Sequence, residues 1–77
     1  HGIRFEDAIS VFDDPAHLSR QDRYVNGEYR WQTIGLIKGV VVIVAVHTVR
    51  FESGAEIIRL ISARKANLKE RNLYEHY

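Results

Sequence analysis

Residues 40–49 read Val-Val-Val-Ile-Val-Ala-Val-His-Thr-Val, and eight of the ten are β-branched. Such side chains are stiff at χ1 and suit a pleated, packed surface better than a helix. The run has about half the length that a membrane-spanning helix needs. It therefore predicts one interior strand, around which the rest of a 77-residue chain must be arranged. No secretory leader precedes it, and the expected location is the cytoplasm, with no membrane partner. A chain this short makes one domain with a thin core, burying about 60% of its unfolded surface. Without cysteine it has neither disulfides nor a thiolate zinc site. Its histidines, His1, His17, His47 and His76, lack the spacing of a metal cluster. Neither a metal nor another cofactor is expected.

The flanking segments supply the other elements. Phe5, Ala8, Ile9 and Phe12 repeat at the spacing of one helical face, and Asp13-Asp14-Pro15 ends that helix. Residues 16–28 are polar and without period; they predict a loop, with a short strand around Arg23–Val25 and a turn at Asn26-Gly27. Tyr29–Ile37 predicts a strand, Lys38-Gly39 a tight turn, Val40–Val49 the central strand, 50–54 a second turn, and Glu56–Ala63 a further strand. Asn67 with Glu70 forms a capping box for a short C-terminal helix, whose apolar stripe is Ala66, Leu73, Tyr74 and Tyr77. The fold class is thus α+β: an antiparallel meander of three to four strands with a helix at each end.

Charge is unevenly placed. Residues 1–22 hold Glu6, Asp7, Asp13, Asp14 and Asp22 against Arg4 and Arg20, whereas 59–71 hold Arg59, Arg64, Lys65, Lys69 and Arg71 against Glu70. A tight Lys38-Gly39 turn pairing Ile37 with Val40 sets Arg30 opposite His47, and a second hairpin pairing Ala45 with Arg59 brings Arg59 to the same face. That face carries Arg30, Gln32, His47 and Arg59; Trp31, Thr33, Val42, Val44, Val46, Ile58 and Leu60 lie on the other, the one suited to helices. Arginine offers phosphate a fixed fork of donors and keeps its charge; histidine exchanges protons near neutral pH. Together they suit a phosphodiester whose nucleophile is its own 2′-hydroxyl. The bland alternatives are a hydrogen-bonded structural histidine, arginines paired with Glu28 and Glu56, and a Trp31 that packs rather than stacks on a base.

The order Gly2-Ile-Arg-Phe-Glu-Asp-Ala8, Val11-Phe-Asp-Asp-Pro15, Arg30-Trp-Gln-Thr-Ile-Gly35, Val46-His-Thr48, Arg59-Leu-Ile-Ser-Ala-Arg-Lys-Ala66 and Glu70-Arg71…Tyr74-Glu75 resembles the BrnT toxin family. The resemblance implies a single domain over 1–77 with a RelE-like fold, opening inside the family's first helix and lacking its N-terminal Phe-Glu-Trp-Asp-type strand. It leaves a sheet edge ready to pair with another chain, including a second copy. It also implies a metal-independent ribonuclease that arrests translation, acting on RNA free or on the ribosome. Its cognate partner would be a BrnA-like antitoxin, through which alone the complex would contact operator DNA. By position, His47, Arg59 and Arg64 are the expected catalytic residues, and Arg30, Trp31, Lys65 and Lys69 the expected RNA-binding ones. The alternative function is a non-catalytic protein-interaction or RNA-binding module.

Overall fold

The computed structural model describes residues 3–76. Gly2 and Tyr77, which belong to the family pattern and the C-terminal stripe, lie outside these residues, as does His1. In order come helix α1 (Phe5–Ala8), a 3-10 segment (Ile9–Asp13), strands β1 (Leu18–Val25), β2 (Glu28–Ile37), β3 (Val41–Glu52) and β4 (Ala55–Lys65), and helix α2 (Leu68–His76). The strands form one antiparallel sheet in the order β1-β2-β3-β4, with β1 and β4 at its edges. The expected α+β meander with terminal helices is this architecture.

Three turns set the registers. Asn26-Gly27 and Ser53-Gly54 both have positive φ at the two central positions, the backbone of tight hairpins whose twist matches their strands. The β2–β3 turn is one residue longer than expected: Ile37 pairs with Val41, Lys38 and Gly39 take positive φ, and the Val40 N–H donates to the Ile37 carbonyl at 3.1 Å. In a sheet of period two, that residue turns β3 over relative to β2.

Residues 18–25 form a full strand, where a loop with only a short strand around Arg23–Val25 was expected. Their side chains are almost all exposed, so pairing to β2, not their own pattern, makes the strand. The second hairpin also departs from expectation. Ala45 pairs with Ala63, and Arg59 with Thr48; a bulge lies between Val46 and His47, opposite Ile61.

The sheet has two unlike faces. Ala8, Val11 and Phe12 pack on the first, against Ile37, Ile43, Ala45, Leu60 and Ala63. Here Gly35 is required by proximity, since a Cβ on it would lie 2.7 Å from a Val11 methyl. On the second face Ile34 and Val44 are buried near α2. That helix starts on the expected box: Asn67 Oδ1 accepts from the Glu70 N–H at 2.8 Å and Glu70 Oε1 accepts from the Asn67 N–H at 2.9 Å. Tyr74 donates to Asp14 Oδ2 at 2.6 Å, and the same oxygen accepts from the Leu36 N–H at 2.8 Å. One carboxylate thus ties α2, β2 and the 3-10 segment together. In response the Asp14 carboxyl lies below its ordinary range, held there by these bonds against burial, and the Tyr74 hydroxyl is pushed up to about 12, chiefly by its bond to Asp14.

Candidate nucleic-acid interface on the second sheet face

Cross-strand pairing lines up residues in rows. Arg23 pairs with Arg30, Arg30 with Thr48, and Thr48 with Arg59, so one straight row spans all four strands on the second face. By alternation Arg20, Gln32, Arg50 and Glu28 flank it on the same face. Positions directly opposite across an antiparallel pair lie about 5 Å apart at Cβ, and like charges there repel. Arg23 opposite Arg30 is such a pair. Arg23 has a distant acidic neighbour, Asp22 at 3.7 Å, while Arg30 enters no ion pair among the described residues. The Arg30 Nε is buried and lacks a hydrogen-bond acceptor. A buried donor left without an acceptor is costly, and with no ion pair among the described residues the terminal nitrogens of Arg30 keep their donors for a phosphate.

At the β4 end of the row, Arg59 donates from Nη2 to Glu28 Oε1 at 3.1 Å, with about two thirds of its own side chain exposed. Glu28, Thr48, Arg50, Ile57, Ile58 and Arg59 line a cleft of about 510 Å³ there. At the β1 end Arg20 donates to Gln32 Oε1 at 3.2 Å and shares a second cleft with Lys69 of α2. Lys69 thus adds a cation beside Arg20 at this end of the face.

Three expected site residues fall elsewhere. His47 pairs with Trp31 on one side and Leu60 on the other, so it lies on the first face, with the sheet between it and Arg30 and Arg59. The shared face expected for these three residues is thus corrected: the longer β2–β3 turn separates His47 from Arg30, and the changed β3–β4 register, with Arg59 opposite Thr48 instead of Ala45, separates it from Arg59. β2 and β4 present the expected faces; β3 alone is inverted. His47 is 3% exposed, edge-on to Phe12 at 4.9 Å, with Nε2 bonded to Thr33 Oγ1 at 2.7 Å; that hydroxyl meets Ser19 Oγ at 2.7 Å. Burial pushes its pKa down; weaker contributions from the Thr48 backbone and the Glu56 carboxylate act the other way. Its Nδ1 is buried without a hydrogen-bond partner. Trp31 lies beside it, part-buried, in a shallow cleft with His17 and Phe51.

Arg64 is on the second face, but both its terminal nitrogens are engaged by Glu70, at 2.7 and 2.8 Å. The carboxylate, hydrogen-bonded first by Arg64, is held at about 2. Arg64 thus clamps α2 to β4. Lys65 pairs with Ile43, on the first face at the far end of the sheet.

Sequence reasoning did not single out Arg20, Arg23, Arg50 or Thr48. Arg50 and Thr48 are legible as i and i+2 partners once β3 extends to Glu52; Arg20 lies in a polar stretch without period, and Arg23, though in the expected short strand, had no expected partner strand to place it.

A row of arginines fits a polyanion. The model for the BrnT ribonuclease toxin of type II toxin–antitoxin systems matches residues 1–70. The chain belongs to the BrnT family. No curated protein matches it individually. The BrnT family is one of ribonuclease toxins, and type II systems pair each toxin with an antitoxin. Among the described residues no helix is long and apolar enough to cross a membrane, and no three His, Asp or Glu side chains are grouped to hold a metal.

Proposed function

We propose that this chain is a metal-independent endoribonuclease toxin that cleaves RNA by attack of the 2′-hydroxyl on the adjacent phosphate, stops translation, and is silenced by a cognate antitoxin. The reading rests on the arginine row and above all on Arg30, which enters no ion pair among the described residues and faces a second guanidinium across the strands. Arg30 and Arg59 hold the reacting phosphate and stabilise charge as it develops on the non-bridging oxygens. Arg20, Arg23, Arg50 and Lys69 guide the strand to either side. Because five guanidinium groups, those of Arg20, Arg23, Arg30, Arg50 and Arg59, provide the positive charge along this face, the attack requires no added Lewis acid.

In this reading His47 supports the sheet from the other side, and Arg64 holds α2 in place. A non-catalytic interaction module is favoured by one observation, the ion pairing of Arg59 and Arg64. The test is incubation of the protein with total RNA in EDTA, beside Arg30→Ala and Arg59→Ala variants. EDTA-resistant fragments with 2′,3′-cyclic phosphate ends, lost in both variants, support the ribonuclease. Intact RNA with a folded protein, on or off the ribosome, favours the module.

A further inference from the structure

With His47 behind the sheet, the arginine face must find its proton acceptor among its own residues. We propose that Glu28 is that group, the general base that takes the 2′-hydroxyl proton; the inference rests on the ribonuclease reading above. Three carboxylates accompany the arginine row. Asp22 sits at the β1 bulge, 3.7 Å from Arg23, and Glu52 pairs with Arg50 at 3.2 Å near the β3–β4 hairpin tip. Neither lines the cleft that holds Thr48 and Arg59.

Glu28 differs from them in three respects. It lines the cleft with Thr48, Arg50 and Arg59. Its side chain is 29% exposed, enough to meet a ligand and too little to wander. It also uses only one oxygen on Arg59: Oε1 accepts at 3.1 Å, and Oε2 has no hydrogen-bond partner among the described residues. Arg59 therefore performs two tasks, orienting the carboxylate and presenting its remaining donors to phosphate. Such a pair places base and phosphate ligand side by side, the geometry that attack by a neighbouring hydroxyl requires.

The 2′-O–H bond breaks and its proton passes to Glu28 Oε2, while the 2′ oxygen forms its bond to phosphorus. The bond from phosphorus to the 5′ oxygen breaks, leaving a 2′,3′-cyclic phosphate. Attacking and leaving oxygens lie on opposite sides of phosphorus, so one carboxylate cannot serve both. The 5′ oxygen takes its proton from water, and Glu28 returns its own to the hydroxide so formed.

The test compares wild type with Glu28→Gln, which keeps the size of the side chain and an acceptor for Arg59. Single-turnover cleavage is measured on a short RNA, and affinity on the same oligonucleotide with 2′-deoxyribose throughout. A second RNA carries sulfur at the 5′ leaving position, which needs no protonation. The expected result is cleavage slowed at least about 100-fold, undiminished affinity for the deoxy oligonucleotide, and no rescue by the sulfur leaving group. Three results overturn the assignment: near wild-type cleavage, affinity lost in step with cleavage (which makes Glu28 a positioning residue for Arg59), or rescue by sulfur (which makes it the acid). Failure of wild type to cleave any RNA would instead remove the ribonuclease reading beneath it.

Discussion

Single residues carry most of what distinguishes the two faces. His47 is neutral in the folded chain because burial disfavours its charged form. The unfolded chain, with histidine near 6.5, binds the extra proton first, so stability is full above that pH and falls as acid approaches the lower folded value. Urea unfolding at pH 7.5 and 5.5 should show this loss, and His47→Asn should flatten it; an equal loss in the variant would mean another group is responsible. Gly35 has no room for a methyl group against Val11. Gly35→Ala should destabilise by about 1–3 kcal/mol through overpacking, read as a lower urea midpoint with unchanged slope.

Among the elements, α2 depends most on named side chains. Arg64, Glu70 and Asn67 form one connected set, in which Glu70 caps its own helix and binds the strand before it. Glu70 is held at about 2, against 4.5 in an unfolded chain, so its contribution is complete above pH 4.5 and lost as pH falls towards 2. Most of this side chain is buried, and the linkage amounts to about 2–3 kcal/mol. Glu70→Gln should remove that acid limb and lower stability by a similar amount at pH 7, measured by circular dichroism at 222 nm. Much at this scale was legible in the sequence: the capping box from two residues three apart, the central strand from its β-branched run, the α+β order from alternating signals. The rest depended on the registers of two hairpins. Lys38-Gly39 looks the same whether its loop has two residues or three, yet that choice decides which face His47 occupies. The part of β1 before Arg23 was illegible for a different reason, since an edge strand exposed on both sides has no apolar alternation to read.

Across the whole molecule, the sheet separates two kinds of surface: an apolar layer under α1 with His47 at its margin, and an arginine row that shares its face with Ile34 and Val44. Only the row fits a polyanion. Binding of a 2′-deoxy oligonucleotide should weaken with salt, and each row arginine changed to alanine should reduce the logarithmic salt slope by about 0.7. The most direct test of the two-face account uses total RNA in EDTA with three proteins: wild type, Arg30→Ala and His47→Asn, each first shown to be folded. The account predicts cyclic-phosphate ends from wild type and from His47→Asn, and none from Arg30→Ala. Loss of cleavage in folded His47→Asn, with Arg30→Ala still active, would contradict it.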